Sequence, residues 1–415
     1  MRNDKPCTEE DATLRRTISL PLVTFYGIGT ILGAGIYVLV GKVAAVAGML
    51  TPLAFLVAAA IAGFSAFSYA ELAARLPKSA SEAVYAQAGF GRPRLSLLIG
   101  LLMVLVGVVS TATLMHGFAG YLKVYVQFPD WLVILVMLLI LGAVVIWGIA
   151  QSVLVAVIMT LFEVGGLLLI IWVAGDSFAQ LPARLPELLA QGGEPFVWFG
   201  VLLGAFIAFY AFIGFEDMVN VAEEVVEPSR NLPRAIVLVL AIVTLFYLLV
   251  TLVSILTVPP EKLAQTDAPL ALVYQQATGK APLFITLISL VSVLNGALIQ
   301  IIMASRVLYG LSRQGWLPEG FGYVYPRTRT PLPAILVVVL SILLLAWLLP
   351  LLSLAKLTSF VTLIIFTLMN LALWRIKRRR EQTYQGFTVP LWVPGIGALV
   401  SVLFLITQVY EFVIN

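Results

Sequence analysis

Residues 27–37 read Gly-Ile-Gly-Thr-Ile-Leu-Gly-Ala-Gly-Ile-Tyr, a glycine-rich run lying inside an apolar stretch rather than between two such stretches. Glycine weakens a helix and bares its backbone, and bare backbone at membrane depth is tolerated only where it is buried in protein or lines a cavity. The run therefore marks a break in a membrane-crossing helix and points to a binding site. A second run, Phe209-Tyr-Ala-Phe-Ile-Gly-Phe-Glu-Asp217, sets a glycine and an acidic pair inside another apolar stretch and predicts a second broken helix.

Outward from these two, eleven apolar spans of about 17 residues or more are centred near 29, 60, 110, 140, 163, 208, 245, 296, 341, 364 and 401. With 61% hydrophobic and only 11% charged residues, the chain is read as an all-α integral membrane protein, and no soluble reading competes. The first span follows a charged leader and lacks an Ala-x-Ala cleavage site, so it is expected to remain as a helix. Lys and Arg set the orientation: with the N-terminus cytoplasmic, 19 fall on the cytoplasmic side and six (Lys42, Lys123, Arg184, Lys262, Lys280 and Lys356) on the other. The positive-inside rule then predicts a multi-pass protein of the cytoplasmic membrane with Asn415 outside. These basic residues are dispersed over inner loops, so their excess is a topology signal and not a nucleic-acid surface.

Other chemistries lack material. The single cysteine, Cys7, lies in the leader and excludes intramolecular disulfides, cysteine metal clusters and an outer-face disulfide to a heavy-chain partner. The single histidine, His116, excludes His-rich metal sites and disfavours a Ser-His-Asp hydrolase; it is read as an interfacial packing residue or a group titrating near neutral pH. No phosphate-binding loop is present, so no cofactor is expected and the energy source is a gradient of an ion, H+ or Na+, or of a solute. The two broken spans stand five apart and enter from opposite sides, the spacing of inverted repeats. Amides freed at such breaks attract an anionic group and freed carbonyls hold an ammonium, which suits a zwitterionic amino acid.

Four stretches carry a family likeness: Gly27 to Gly41; Phe209 to Arg234, with the run GFEDMVNVAEEVVEPSRNLPRAI continuing to Ile236; NGALIQIIMASRVLYGLSRQGWLP from Asn295 to Pro318; and RLPKSASEAVYAQAGFG from Arg75 to Gly91. Over roughly residues 15–375 the chain resembles the amino acid-polyamine-organocation superfamily, in particular bacterial relatives of the cationic amino acid transporters. The resemblance implies a LeuT-like 5+5 inverted repeat with helices 1 and 6 broken. On that reading residues 1–17 are a cytoplasmic leader and 18–375 a ten-helix core, with repeats over about 18–175 and 196–375. Residues 376–415 are then a basic loop and an accessory eleventh helix. Many relatives have twelve spans, and this chain departs from them.

Carried over by position, the resemblance puts the substrate carboxylate at the amides of Gly33, Ala34 and Gly35, and its ammonium at the carbonyls of Ile31, Tyr210, Ala211 and Ile213. Small residues also let membrane helices approach closely, so packing is the competing reading of the first run. Phe209 and Phe212 are occluding-gate candidates, with core packing as the alternative. Glu163, in Thr160-Leu-Phe-Glu-Val-Gly-Gly166, lies in mid-span, where a carboxylate is costly and usually functional. Several proton-coupled relatives carry a lysine there, so their mechanism does not transfer; Glu163 either carries a proton or binds a cation. Ser292 and Asn295 share a helix face at i, i+3 and line the site beside it, or join helices by hydrogen bonding, as does Gln300. Glu216, Asp217, Glu223 and Glu224 form an inner gate with Arg15, Arg16 or Arg306, or a solvated charged surface.

The cationic transporters carry an acid in the third span where this chain has Val106, which favours neutral over cationic substrates. The reading is a secondary active transporter of L-amino acids working by alternating access, as symporter or antiporter, with a polyamine or amino-alcohol carrier as the alternative. A channel would need a polar pore lining and a scaffold a soluble domain, and an enzyme would need a catalytic constellation; the sequence offers none of these.

Overall fold

The computed structural model describes residues 14–122, 128–188, 195–266, 268–348, 351–379 and 384–414. Most of the leader with Cys7, together with Lys123, Arg380 and Asn415, lies outside the described residues. The helices are α1 Leu20–Ala47, α2 Thr51–Arg75, α3 Ser81–Phe90, α4 Pro93–Leu122, α5 Asp130–Trp147, α6 Ile149–Val173, α7 Leu181–Leu188, α8 Pro195–Phe209, α9 Pro228–Thr257, α10 Pro260–Ala264, α11 Pro269–Thr278, α12 Leu283–Arg313, α13 Leu332–Leu348, α14 Leu351–Arg378 and α15 Trp392–Ile414. Nine helical stretches among the described residues are long and apolar enough to cross a membrane; the shorter apolar helices Leu332–Leu348 and Trp392–Thr407 complete the expected eleven. Prolines open α1, α2, α9 and α11, where a missing amide hydrogen costs nothing. Gly148, at φ 151°, separates α5 from α6.

The spans sort into two groups. α1 and α2 pack on each other and each on α8 and α9, and α4, α5, α12 and α13 form the second group. The first group holds spans one, two, six and seven, and the second holds three, four, eight and nine. Equivalent spans of two five-helix repeats therefore keep company. α12 also packs on α1 and α6, so the eighth span stands where the groups meet. The alanine-rich face of α2, from Ala54 to Ala74, is buried and lets α8 and α9 approach it closely.

The sixth span is broken as its sequence predicts. α8 ends at Phe209, a 3-10 turn covers Tyr210–Phe212, Ile213 is extended, and Gly214 turns the chain at φ 134° into a second 3-10 stretch, Phe215–Glu224. Only glycine adopts such a φ without strain.

The first span differs from expectation, for α1 is helical without a gap from Leu20 to Ala47, through all its glycines. Here the glycines serve close approach, which leaves the helical hydrogen bonds intact. A Cβ at Gly27 would strike the Met218 side chain, one at Gly29 would strike Thr160 and Asn295, and one at Gly35 would lie 3.3 Å from the Ala211 Cα.

The eleventh span, expected to be accessory, is tied into the core. α15 packs on α2 and α14, and the Phe404 ring lies 4.7 Å from Phe206 and 5.0 Å from Phe209, edge to face. The loop before it is held by Glu71 of α2. That fully buried carboxylate accepts hydrogen bonds from Arg75 Nη2 at 2.6 Å, Lys377 Nζ at 2.7 Å and the Val389 amide at 2.8 Å.

Candidate functional site

The break in the sixth span lies against α1. Gly214 is fixed there because a Cβ would meet the Thr30 carbonyl oxygen at 2.9 Å, and its amide donates to Glu216 Oε2 at 2.8 Å. Glu216, a gate candidate, thus caps the second half of its own helix. Of the carbonyls assigned to an ammonium, that of Tyr210 accepts the Ile213 amide within the turn. Those of Ile31 and Ala211 converge on the Tyr247 hydroxyl of α9, at 2.9 and 2.7 Å. A phenol has one proton, so a single donor is shared by two acceptors from the two helices. The acceptor pair suits a group with several donors, such as an ammonium. Gly33 and Ala34 follow the helical path of α1, and their surroundings lie outside the described residues. Phe212 packs edge to face on Tyr247 at 5.0 Å, and Phe209 lies between Phe366 and Phe404. Both gate candidates are core residues in this conformation.

The structure brings Glu163, Ser292 and Asn295 together. Asn295 Nδ2 donates to Glu163 Oε1 at 2.9 Å and to Thr160 Oγ1 at 3.0 Å, while Tyr37 of α1 donates to the Glu163 carbonyl at 2.9 Å. Glu163, Ser292, Asn295 and Thr160 are all 0% exposed, which makes their bonding a complete accounting problem. Asn295 Oδ1 has no hydrogen-bond partner, and the Ser292 hydroxyl faces the Glu163 carboxyl without a well-formed hydrogen bond to its Oε2. These oxygens on α6 and α12, backed by Gly29 of α1, form an oxygen-rich cluster whose hydrogen-bond partners are all neutral. A proton or a cation there would relieve the cost of an ionised carboxylate at membrane depth. Among the described residues no cluster of three or more His, Cys, Asp or Glu fits a metal ion.

On the α3 side of the break Glu216, Asp217 and Glu224 are buried rather than solvated, and Glu223 is half-buried. Arg306 of α12 grips Glu224 with two bonds, Nε to Oε2 at 3.0 Å and Nη2 to Oε1 at 3.2 Å, both side chains 0% exposed. The Glu224 carbonyl in turn accepts the amides of Thr17 and Ile18, and the Val226 amide donates to the Ile18 carbonyl, which pins the chain ahead of α1 to the end of the sixth span. Asp217 accepts from Gln300 at 2.7 Å, and Glu223 accepts the Ser79 amide at 3.1 Å. Arg15 and Arg16 are exposed, so Arg306 is the one of the three proposed cations buried in this layer.

Sequence reasoning missed Tyr247, Thr160 and Glu82. Tyr247 sits in an apolar run and Thr160 bonds its own helix at Ala156, so neither carries a signal before the helices are packed. Glu82 lies in the loop stretch Arg75 to Gly91 and reads as solvated, yet it is fully buried.

A family model described as amino acid permease matches residues 18–414. The branched-chain amino acid permease BcaP of Bacillus subtilis (strain 168) is 28% identical over 429 residues, covering 96% of this chain and 89% of the relative. Cationic amino acid transporter 4 of Homo sapiens is 30% identical over 380 residues, covering 86% of this chain, and this chain spans only 59% of its length. The methylthioribose transporter of Bacillus subtilis (strain 168) is 27% identical over 416 residues, covering 95% of this chain and 88% of the relative. Among solved structures, a Na+-coupled sialic acid symporter in a substrate-bound outward-open state matches with a TM-score of 0.62 at 16% identity, covering 96% of this chain and 92% of that one. That likeness is one of fold, the LeuT-like arrangement expected from the sequence.

Proposed function

Since this chain belongs to the amino acid permease family and is a transporter rather than an enzyme, we propose that it carries neutral L-amino acids across the cytoplasmic membrane by alternating access, coupled to a proton or cation at Glu163. The observation that carries the substrate class is the pair of convergent carbonyls, Ile31 and Ala211, held at the helix break by a single shared donor. A substrate ammonium has three donors and replaces the Tyr247 hydroxyl there, while the amides of Gly33 to Gly35, which lie within a continuous helix in this conformation, take the carboxylate only once α1 opens at that run. No acid occurs in α4, where Val106 is buried, and the branched-chain specificity in the name of the Bacillus relative supports a neutral aliphatic side chain. The excess of Lys and Arg supports placing the α3 side in the cytoplasm.

The test is a thermal-shift screen of the purified protein against L-amino acids and their decarboxylated amines at pH 5.5 and 7.5, since a ligand of the native state raises apparent stability by RT ln(1 + [L]/Kd). Stabilisation by neutral amino acids and not by amines is the expected result; equal stabilisation by amines would reject carboxylate recognition. In the same assay Tyr247→Phe is expected to lower stability by about 1 kcal/mol without substrate, and by less at saturating amino acid, where the ammonium serves both carbonyls.

Coupling is tested in proteoliposomes. Glu163→Gln is expected to reduce gradient-driven accumulation to equilibration while exchange of preloaded substrate persists. Retention of full pH and sodium dependence by this variant would reject Glu163 as the coupling group.

A further inference from the structure

Glu82, in the first turn of α3, is as buried as any residue in the membrane core, yet it lies outside the spans. Its Oε2 accepts from Asn220 Nδ2 at 2.9 Å, and its Oε1 has no hydrogen-bond partner. The titratable groups facing it are acids and phenols: Glu216 and Asp217 from the second half of the sixth span, Tyr69 from α2 and Tyr85 from α3 itself. Tyr69, 0% exposed, points a hydroxyl without a hydrogen-bond partner into the electrostatic reach of Glu82 and Glu216. Cations nearby are engaged or outside: Arg306 of α12 is committed to Glu224, and Lys78 ahead of α3 and Arg92 and Arg94 at the start of α4 are exposed. Arg375 of α14 stacks over Phe90, and Arg379 just beyond α14 donates to the Ala88 carbonyl, both at the far end of α3. Glu223 is occupied by the Ser79 amide.

We propose that Glu82 is a proton-binding site separate from Glu163, and that the proton it holds keeps α3 docked on the second half of the sixth span. The docking contacts surround it. The Ser81 amide donates to Asn220 Oδ1 at 3.0 Å, and the Ser81 hydroxyl lies against the Val219 and Lys78 carbonyls at 2.5 and 2.6 Å. The first turn of α3 is thereby fastened to residues 219–223. Release of the proton breaks the Glu82 O–H bond, passes the proton to water on the α3 side, and leaves a carboxylate against Glu216 and Asp217 with only Asn220 and its own backbone amide to stabilise it. A buried charge so placed favours undocking, which returns the carboxylate to water.

Burial pushes the Glu82 carboxyl up from 4.5 to about 8; the Asn220 hydrogen bond opposes this and Glu216 adds to it. An undocked, solvated Glu82 titrates near its ordinary value. The docked state then binds one more proton than the undocked state between those two values, so docking weakens as pH rises from about 4.5 to about 8 and levels off above.

Hydrogen–deuterium exchange on the full chain in nanodiscs tests this without substrate, so its outcome stands whether or not the amino acid assignment does. Protection of residues 79–90, corrected for intrinsic exchange, is expected to fall by up to about tenfold per pH unit between pH 5 and 8. Glu82→Gln, which keeps an acceptor for Asn220, is expected to abolish that slope and to remain protected at every pH. A wild-type protection that does not change with pH, or a slope that survives in Glu82→Gln, overturns the proposal. The wild-type arm decides alone if the variant does not fold.

Discussion

Arg306→Ala is expected to destabilise the folded protein by about 3–5 kcal/mol, because it leaves the Glu224 carboxylate buried without its partner. Arg306 and Glu224 are both 0% exposed and joined by two hydrogen bonds in a fork, so neither group falls back on water. Glu224 also holds the amides of Thr17 and Ile18 through its carbonyl, so loosening it frees the segment ahead of α1 from the sixth span. Arg306→Lys is expected to rescue little, since an ammonium is a point charge and does not reproduce the fork. Pairing Arg306→Ala with Glu224→Ala is expected to recover much of the loss, and denaturation of the four proteins of that cycle measures the coupling. Additive damage in the double variant would remove the ion pair as the link between α12 and the sixth span.

Gly214→Ala is expected to be nearly as severe. The φ of 134° costs an alanine about 1–3 kcal/mol. Its Cβ would meet the Thr30 carbonyl carbon and oxygen at 3.0 and 2.9 Å, contacts with backbone that cannot swing aside. Overpacking of this kind adds about 1–3 kcal/mol. The shift would part the break from α1, so amino acid stabilisation should disappear along with thermal stability. Gly117→Ala is the control: nothing lies within 4 Å of its Cβ, and in a helix it should be neutral or stabilising by up to about 1 kcal/mol. If Gly214→Ala melts with the wild type and still binds, the break is not the rigid element described above.

The two glycine runs show where a sequence stops being readable. Both read as breaks, and only the second is one. Around Gly214 the acids Glu216 and Asp217 and the change of polarity within one turn announce a non-helical backbone, and Glu216 supplies the acceptor that satisfies it. Around Gly29 and Gly35 the same residue type serves close packing on Thr160, Asn295 and Ala211, which lie far away in the chain. Glycine permits either outcome, and the neighbour that decides between them belongs to another helix. Glu163 was conspicuous because a lone acid in an apolar run is rare, and Ser292 and Asn295 because they share one face. That Asn295 bonds the carboxyl while Gln300 turns to Asp217 depends on the rotation of α12 against α6.

The number of spans, the uneven distribution of basic residues between the loops and the break in the sixth span were determined by the sequence alone, because hydropathy, charge and backbone freedom act within one helix length. Which acids are buried, and with whom, was decided by the tertiary structure. Glu71, Glu82 and Glu224 sit in stretches that read as loop or span end, and they are fully buried because α3, α12 and α14 fold over them. Tyr247 is one more aromatic in an apolar helix until α9 lays its hydroxyl between Ile31 and Ala211. A side chain's solvation is a property of its neighbours in space, and these come from other helices, 82 positions away for Glu224 and Arg306 and 138 for Glu82 and Asn220, where no local pattern reports them.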